Sequence, residues 1–380
     1  MKKKIVTIVG ARPQFIKAAA LSRTIAAYYS DDIQEYIIHT GQHYDPEMSD
    51  VFFEELNIPK PHFQLEHQES WTDGENEERI LAIIKILREV KPDFVIVYGD
   101  THSTLAGAMA ASREKIPLVH VEAGLRSFNN NMPEEYNRVK TDQLAQILFV
   151  PTETAIHNLE KEGIFTKNDS TDLINQKWII NCGDIMYDNT LYYNEILESQ
   201  TDILQELGIK KDHYILVTVH RNFNTDQPEP LQSIFEALLK IAQEIPVVLP
   251  LHPRTIKNMD QFFDDPFINK IEKCKNLILL EPLSFLDMAA LEKNSRMIIT
   301  DSGGVQKEAY FYQKPSILLR DETEWTEIVT TKTAILAGYN TEKILKAYHQ
   351  LNQAVPKQYP PIFGDGTAAF MILDFLLSKD

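Results

Sequence analysis

Acidic side chains stand at three points where a strand-like run of apolar residues or a helix start meets a loop. Asp100 and Glu122 each follow such a run, and Glu134 comes directly after a proline at the expected start of a helix. Carboxylates that share one site can hold different protonation states, which acid–base chemistry at a carbon atom requires. The pattern therefore indicates proton transfer, with Arg138 one helical turn beyond Glu134 and able to face the same site.

Each acid also has an ordinary structural interpretation. Asp is a favoured N-cap, so Asp100 could simply begin the following helix. Glu134 and Glu135 suit the positive end of a helix dipole. Taken singly, each acid fits the structural interpretation better, whereas three acids at neighbouring strand ends and one helix start favour the chemical one.

Basic residues follow the first strand-like run in the segment GARPQFIK. Gly10 permits a tight turn, Pro13 suits a first helical position, and Arg12 and Lys17 place two cations near a helix N-terminus. This arrangement favours an anion such as a phosphate, although a capped turn with solvated cations explains it equally well. The segment is not G-x-G-x-x-G, so it does not support a nicotinamide cofactor.

Two further anion candidates lie in the second half of the chain. His220 follows a strand-like run and is succeeded by an arginine, a pair suited to a diphosphate; His252 is a weaker candidate that fits packing at a turn. Ser302, Gly303 and Gly304 would let backbone amides approach a phosphate at the start of a helix.

Glu308, in the helix after the Ser-Gly-Gly turn, could accept hydrogen bonds from ribose hydroxyls. The alternative is that Ser302 caps the helix and the glycines serve only the turn. The residues by themselves thus indicate a nucleotide-phosphate site in the second half and a carboxylate cluster in the first. This combination suggests a nucleotide-sugar enzyme without specifying its reaction.

Short β-branched runs that alternate with longer amphipathic stretches must position these groups. Apolar strands separated by helices predict parallel sheets that are covered on both faces. The rhythm restarts after a polar stretch near residues 197–211, so the predicted fold class is α/β, with two Rossmann-like doubly wound domains and a cleft between them. We expect domains at 1–190 and 191–362 and a C-terminal helix in 363–380 that packs back on the first domain.

Composition limits the classes of partner. The 380 residues carry 38 Lys and Arg against 55 Asp and Glu, a formal charge of −17, which argues against nucleic acid and anionic membrane as partners. No apolar run approaches the roughly 20 residues of a membrane span. Two cysteines cannot form a disulfide framework or a zinc cluster, so a cytoplasmic location is expected.

The order of motifs resembles the non-hydrolysing UDP-N-acetylglucosamine 2-epimerases, which have the glycosyltransferase-B type of fold. The resemblance extends nearly from end to end and rests on GARPQFIKA, HTGQHYD, YGDTHSTLAG, HVEAGLRS, MPEEYNR, TVHRN, LHPRT, TDSGGVQKEA, LRDETEW and GDG. It implies an isomerase that eliminates UDP to a 2-acetamidoglucal and adds UDP back after protonation of the other face. No metal and no cofactor are required by this scheme.

The resemblance also implies a role for each matching residue. Asp100, Glu122 and Glu134 would be the acid–base carboxylates, with Arg138 and His220 in the same active site. The residues implied for substrate and UDP binding are Arg12, Lys17, Gln42, His43, Ser302, Gly303, Gly304, Glu308 and Arg320. The family further implies a UDP-sugar as ligand, a homodimer, and a role in surface polysaccharide biosynthesis.

The sequence departs from the family pattern at one position that bears on specificity. Trp325 stands where the family usually has an arginine that contacts the ligand. Several motifs are also similar to a sub-branch that acts on UDP-2,3-diacetamido-2,3-dideoxyglucuronate, which leaves this sugar as an alternative to UDP-N-acetylglucosamine. The tyrosine, aspartate and proline after the GQH loop differ from the allosterically regulated members, so we do not expect that regulation.

Other enzyme classes fit the sequence less well. A glycosyltransferase of the same fold would share the phosphate site, but three clustered carboxylates are not usual in that class. A hydrolysing epimerase would release free N-acetylmannosamine and UDP. An inactive nucleotide-sugar sensor would be expected to have lost carboxylates, and all three are present.

Overall fold

The structure, a computed structural model, describes residues 2–42, 59–66, 75–129, 132–170 and 172–379, without the side chains of residues 12 and 198–200. The chain divides into two compact units. The first unit comprises Met1–Leu191 and Pro361–Asp380, and the second comprises Tyr192–Pro360. The first unit is thus assembled from two separate stretches of chain, whereas the second is continuous.

A parallel sheet forms the centre of the first unit. In the described part of the chain its strand order is β3-β2-β1-β4-β5-β6-β7. The strands are rich in Val and Ile and are largely buried, as expected for a sheet covered on both faces. Their bounds are Lys3–Val9 (β1), Ile33–His39 (β2), Phe63–Gln64 (β3), Phe94–Tyr98 (β4), Leu118–Val121 (β5), Ile147–Val150 (β6) and Trp178–Asn181 (β7).

Helices connect these strands and cover the sheet. Arg12–Thr24 (α1) continues into a π-helical turn at Ile25–Tyr29. The other helices of this unit are Glu77–Val90 (α2), His102–Glu114 (α3), Pro133–Leu144 (α4) and Glu153–Lys161 (α5), with a 3₁₀ turn at Leu173–Asn175. A further helix, Ile185–Gln200 (α6), begins in the first unit and continues into the second.

The second stretch of the first unit is held by backbone contacts and a helix cap. The N–H of Asp184 donates to the carbonyl of Phe363 (2.9 Å), and a Cβ on Gly183 would lie 2.6 Å from that same oxygen. Asp188 accepts hydrogen bonds from the N–H groups of Ala368 and Ala369, at the start of the helix Ala368–Leu377. Burial raises the pKa of Asp188 to about 6, with the charge of Asp184 contributing and the backbone donors opposing.

The second unit repeats the plan with a six-stranded parallel sheet in the order β10-β9-β8-β11-β12-β13. Its core includes Leu197 and Ile203, so the stretch that the sequence suggests as a polar separator contributes buried side chains. The strands are Ile215–Thr218 (β8), Val247–Pro250 (β9), Leu277–Leu280 (β10), Met297–Thr300 (β11), Ser316–Leu318 (β12) and Ala334–Leu336 (β13).

Besides α6, the described residues of the second unit form nine helices, and one more helix follows in the second stretch of the first unit. They are Ile203–Glu206 (α7), Asn222–Thr225 (α8), Pro228–Ile241 (α9), Pro253–Phe262 (α10), Asp265–Lys273 (α11), Phe285–Asn294 (α12), Gly303–Phe311 (α13), Thr326–Thr330 (α14), Thr341–Gln353 (α15) and, back in the first unit, Ala368–Leu377 (α16). Within the described ranges, no helix combines the length and the apolarity needed to cross a bilayer.

The two sheets share one topology, which confirms the predicted α/β class and doubly wound architecture. Each order runs outward from a central pair, β1 and β4 in the first unit and β8 and β11 in the second. Ligands bind beyond the carboxyl ends of the strands at such a switch point, where the strand order reverses. Most of the candidate residues follow these strands or their neighbours.

Candidate functional site

The turn after β1 is packed against the start of α3. Gln14 accepts hydrogen bonds from the N–H groups of Gly10 and Ala11, and its amide nitrogen donates to the Tyr98 carbonyl and the Thr104 hydroxyl. A Cβ on Gly10 would lie 2.1 Å from the nearest neighbouring hydroxyl oxygens, so this glycine is required by packing. The turn is therefore a rigid support for the residues of α1.

Lys17 and Glu122 form an ion pair in this support. The Nζ atom of Lys17 lies 2.7 Å from Oε1 of Glu122, and both side chains are 9% exposed. Because the pair is so shielded from water, removing one partner would leave a buried, uncompensated charge and would cost more than breaking a surface ion pair. Lys17 therefore neutralises a predicted acid–base residue in the first unit.

Glu122 has an unusual backbone conformation. Its φ is +70°, and it follows a strand, whereas Lys91 and Lys115 reach positive φ as ordinary helix C-caps. The N–H groups of Glu122 and Ala123 both donate to the Phe149 carbonyl, which holds this conformation. Backbone strain of this kind is concentrated at functional sites, where it sets the direction of a side chain.

Asp100 pairs with Arg138 at the end of the adjacent strand β4. The N-cap interpretation of Asp100 is wrong, because Thr101 caps α3 by accepting the N–H of Thr104. The carboxylate of Asp100 is thereby available, with 28% of the side chain exposed. Arg138 also donates to Glu135 (3.2 Å), and so connects this acid to the start of α4.

Glu134 and Glu135 have different surroundings although they are adjacent in sequence. Glu135 is 5% exposed and accepts from the N–H and hydroxyl groups of Ser127 and the N–H of Phe128, which fixes the loop before α4. Glu134 is half-buried, and no described residue is recorded as its hydrogen-bond partner. Glu135 is thus the structural acid, and Glu134 remains the candidate for chemistry.

The remaining candidates of the first unit are only partly described. Gln42 accepts from the N–H (3.0 Å) and the hydroxyl (2.6 Å) of Ser103 at the start of α3. His43 lies outside the described residues, as does the side chain of Arg12. Their assignment to substrate binding stays a prediction.

A layer of buried charged residues lies behind Asp100 and Glu122. His120 contacts Asp142 through Nδ1 and the Gly99 carbonyl through Nε2, both at 2.7 Å. Asp142 also accepts from Arg126 (2.8 Å), which in turn pairs with Glu162. Sequence reasoning missed these residues, because their partners are distant along the chain.

In the second unit, one buried carboxylate organises the His220 turn. Asp301 is 0% exposed and accepts the N–H groups of His220 and Arg221 and the side-chain amide of Asn224. Nδ1 of His220 lies 3.2 Å from Asp301, with 34% of the histidine side chain exposed. This geometry leaves Nε2 of His220 as the ring nitrogen that is not directed at Asp301.

The charge of Asp301 follows from its contacts. Burial alone would raise its pKa, but the hydrogen bond and charge of His220, with Asn224 and the Arg221 N–H, more than offset burial and lower it. His252, whose ring centroid is 5.8 Å from that of His220, has a lowered pKa because of burial and the nearby positive charges. His252 accepts the N–H of Arg254, so it caps α10, in keeping with a residue at a turn.

The Ser-Gly-Gly turn begins α13 after β11. Ser302 caps the helix by accepting from Val305 (3.4 Å), and its own N–H donates to Thr300. The N–H groups of Gly303 and Gly304 are the first two of the helix and therefore lack intrahelical acceptors. The backbone N–H groups of the two glycines, rather than the serine hydroxyl, are therefore the hydrogen-bond donors that remain available for an anion.

Neither of these glycines is explained by packing. A Cβ on Gly303 would come no closer than 3.9 Å to a neighbouring atom, Nη2 of Arg221, and one on Gly304 would lie 3.9 Å from Glu308 and Ser302. Neither glycine has a positive φ. Since the fold tolerates a side chain here, the close approach of a ligand is the better explanation for glycine.

Arg320, another binding candidate, is engaged within its own loop. It forms a bidentate pair with Glu324 at 3.0 and 3.1 Å, and the two side chains are 5% and 9% exposed. Trp325 is buried, and Nζ of Lys307 lies 4.3 Å from its ring centroid. The tryptophan at the position of the family's arginine thus packs against a cation of α13.

The arrangement can bind an anion and transfer protons. The first unit holds two carboxylates next to cations at the ends of neighbouring strands, and the second unit has a helix N-terminus beside Arg221, whose Nε is buried without a recorded partner in the described structure. Among the described residues, no group of three or more His, Cys, Asp and Glu is suited to hold a metal ion. These features fit a phosphate-bearing ligand and acid–base chemistry.

Comparison with known proteins agrees with this chemistry. A sequence model of UDP-N-acetylglucosamine 2-epimerases matches residues 26–377. A UDP-N-acetylglucosamine 2-epimerase homolog of Methanococcus maripaludis is 46% identical, with 98% of this chain and 99% of the relative covered. The UDP-2,3-diacetamido-2,3-dideoxy-D-glucuronate 2-epimerase of Pseudomonas aeruginosa is 43% identical, with the same coverage. The crystal structure of the Methanocaldococcus jannaschii UDP-GlcNAc 2-epimerase in complex with UDP-GlcNAc and UDP superposes with a TM-score of 0.84, at 38% identity and over 99% of both chains.

Proposed function

The chain belongs to the UDP-N-acetylglucosamine 2-epimerase family and is therefore an isomerase of UDP-sugars, and from this premise we propose that it interconverts UDP-N-acetylglucosamine and UDP-N-acetylmannosamine. The observation that carries the proposal is the pair of carboxylates at the ends of β4 and β5, each beside a cation. Inversion at C2 needs a proton removed from one face and delivered to the other, and carboxylates at fixed positions can do both.

The proposed reaction has two halves. In the first, the bond between C1 and the UDP oxygen breaks as a carboxylate removes the C2 proton, which leaves a 2-acetamidoglucal and UDP. In the second, an acid protonates the opposite face of C2 and the UDP oxygen returns to C1. Asp100, Glu122 and Glu134 would move the protons, and Arg138 would orient Asp100.

The second unit would stabilise the departing diphosphate. Donors aimed at developing negative charge contribute most when they are fixed in advance, because no reorganisation is needed during the reaction. The N–H groups of Gly303 and Gly304, with His220 and Arg221, would serve this purpose, and Glu308 would bind the ribose. The roles of Arg12, Lys17, Gln42, His43, Ser302 and Arg320 in substrate binding belong to the same proposal.

Proton NMR of the purified protein with UDP-N-acetylglucosamine in deuterated water tests the proposal directly. We expect UDP-N-acetylmannosamine to form without added metal or nicotinamide, with deuterium at C2 of both sugars. Unchanged substrate with no deuterium at C2 would contradict it. Release of free N-acetylmannosamine would instead indicate a hydrolysing enzyme, and UDP release that depends on an added acceptor would indicate a glycosyltransferase.

A second candidate substrate is UDP-2,3-diacetamido-2,3-dideoxyglucuronate. The Pseudomonas aeruginosa relative that is named as a 2-epimerase of this sugar is 43% identical to the chain. Trp325 is the position to test, since it binds Lys307 where the family usually has an arginine. Trp325→Arg is expected to change the ratio of kcat/KM for the two sugars by about tenfold. An unchanged ratio would exclude this position as the determinant of specificity.

The proposal includes a homodimer that acts in the cytoplasm and supplies activated sugars for surface polysaccharide. Light scattering combined with size-exclusion chromatography tests the assembly, and a monomer at working concentration would contradict it. Fractionation of the source cells tests the location.

A further inference from the structure

Four ionisable side chains form a connected chain beneath Asp100 and Glu122: His120, Asp142, Arg126 and Glu162. The first three have side chains between 0% and 1% exposed, and Glu162 is 31% exposed. Burying charges is costly, and apolar residues of similar size often stabilise a fold as well or better. The network therefore calls for a reason other than stability.

The histidine at the start of this network connects the two strands that carry the carboxylates. It belongs to β5, two residues before Glu122, and its Nε2 lies 2.7 Å from the carbonyl oxygen of Gly99, the residue before Asp100. A carbonyl oxygen can only accept a hydrogen bond, so Nε2 of His120 must carry a proton. Gly99 is also held by its N–H, which donates to the Val121 carbonyl.

The other ring nitrogen faces Asp142, whose carboxylate is surrounded by donors. Its Oδ2 atom accepts from the N–H of Gly124 (3.1 Å) and from Arg126 (2.8 Å), while Oδ1 lies 2.7 Å from Nδ1 of His120. Burial alone would raise the pKa of Asp142, but the hydrogen bonds and charges of His120 and Arg126 outweigh burial and lower it. The Arg126 guanidinium and the Gly124 N–H at Oδ2 favour the ionised carboxylate independently of His120, and an ionised Asp142 accepts at both oxygens, so Nδ1 of His120 is directed to donate as well.

We propose that His120 is a positioning residue that donates from both ring nitrogens and so fixes the relative placement of Asp100 and Glu122. Through Nε2 it holds the backbone before Asp100. Through Asp142, which binds the Gly124 N–H, it holds the backbone two residues after Glu122. The effect on catalysis rests on the proposed epimerase function, whereas the two-donor geometry does not.

Two substitutions of His120 each keep one of its two hydrogen bonds and remove the other. The amide of glutamine lies near the place of Nε2 and can still donate to Gly99, and the amide of asparagine lies near the place of Nδ1 and can still donate to Asp142. We expect both His120→Gln and His120→Asn to lower kcat by about 10²-fold, because a displacement of about 1 Å costs that much. Neither change alters the turns of the second unit that are proposed to bind the diphosphate, nor a residue proposed to contact UDP, so the affinity for UDP is expected to stay close to the wild-type value.

His157 provides the matched control, since it is exposed on α5 of the same unit. His157→Gln is expected to leave kcat and UDP affinity unchanged. Wild-type kcat in either His120 variant, or an equal loss of kcat and UDP affinity, would contradict a positioning role. Hydrogen exchange at the amides of Gly99 and Gly124 is measured on the same proteins, and we expect faster exchange at Gly99 in His120→Asn and at Gly124 in His120→Gln.

The wild-type protein tests the geometry even if the variants do not fold. In a long-range ¹H–¹⁵N spectrum of ¹⁵N-histidine-labelled protein at neutral pH, we expect one buried ring with both nitrogens protonated and two slowly exchanging N–H protons. One unprotonated nitrogen at His120 would overturn the proposal. An inactive wild type with this spectrum would contradict the epimerase function while leaving the two-donor geometry intact.

Discussion

The two units place their candidate groups at equivalent positions of the same sheet topology, yet they hold them in different ways. The first unit uses side-chain ion pairs, Lys17 with Glu122 and Arg138 with Asp100. The second uses backbone N–H groups at a helix start and a buried Asp301 that organises its turn. In the proposed function, the same scaffold would support proton-transfer groups in one unit and a fixed anion site in the other, because the residues after the strands differ.

The largest effects should follow from removing the proposed proton-transfer groups of the first unit. Glu122→Gln and Asp100→Asn are each expected to lower kcat by about 10³-fold, as is usual for loss of an acid–base group. Deuterium incorporation at C2 measures this loss. The affinity for UDP, measured by calorimetry, is expected to remain close to that of the wild type.

The proposed difference between the two units would be disproved if substitution of Glu122 or Asp100 weakened UDP binding as much as it lowered kcat. Equal losses of kcat and UDP affinity would assign the residue to binding or to structure. Glu78→Gln, an exposed change on α2, serves as the matched control and should alter neither quantity.

Next in size is a difference in how the units respond to pH. The folded pKa of Asp188 is about 6, above its value in the unfolded chain, so this group's stabilising contribution is complete in acid and is lost as pH rises through 6. Relative to Asp188→Asn, the wild type should lose on the order of 3 kcal/mol of unfolding free energy between about pH 4 and pH 7. Asp301 has a lowered pKa, so its contribution is present at neutral pH and is lost in acid.

Denaturant unfolding of the wild type, Asp188→Asn and Asp301→Asn at both ends of this range measures the difference. Opposite slopes of the two variants relative to the wild type would confirm it. Parallel slopes would show that the two buried aspartates have similar ionisation behaviour, contrary to their surroundings.

A smaller effect is expected when a cation of the second unit is removed, and it should be a loss of UDP affinity. Arg221 has a buried Nε without a recorded partner among the described residues and extends to the Ser-Gly-Gly turn. Arg221→Gln is expected to weaken UDP binding by about 30-fold, the effect of one charged hydrogen bond of about 2 kcal/mol. Arg254→Gln, which removes pairs to Asp226 and Asn222, is the control and should have little effect on affinity.

The smallest expected effects distinguish a glycine proposed to lie against the ligand, Gly304, from a glycine required by packing, Gly10. Gly304→Ala should reduce UDP affinity by about tenfold, since a methyl group would obstruct a ligand, while stability rises by up to about 1 kcal/mol. Gly10→Ala, where the Cβ would meet hydroxyl oxygens at 2.1 Å, should instead destabilise the first unit by about 1–3 kcal/mol. Thermal unfolding with and without UDP separates the two outcomes.

The fold class followed from the sequence because buried parallel strands have a strong signature. The apolar runs at 94–98 and 118–121 are strands of those extents in the structure. Elements with weaker patterns were missed. The strand Phe63–Gln64 has two residues, and the helices Pro253–Phe262 and Asp265–Lys273 are largely polar on their surface.

The candidate site was harder to predict because its contacts join distant residues. Nothing in the sequence distinguishes Glu134 from Glu135, and only the loop at Ser127 shows which of them is structural. Asp301 was not selected either, since its bond to the His220 N–H spans 81 residues. Motif resemblance selected the candidate ligand-binding residues more readily than the buried residues that contact them.

The discontinuous first unit has a consequence for how the chain is made. Its last helix, Ala368–Leu377, is synthesised after the whole of the second unit, and the cap that it receives from Asp188 joins residues 180 positions apart. The residues of the second unit therefore precede that helix along the chain, and the apolar residues of the first unit that it covers lack their partner until it has been made. Folding of the first unit can therefore be completed only after the last segment is available, whereas the second unit needs no residue from beyond Pro360.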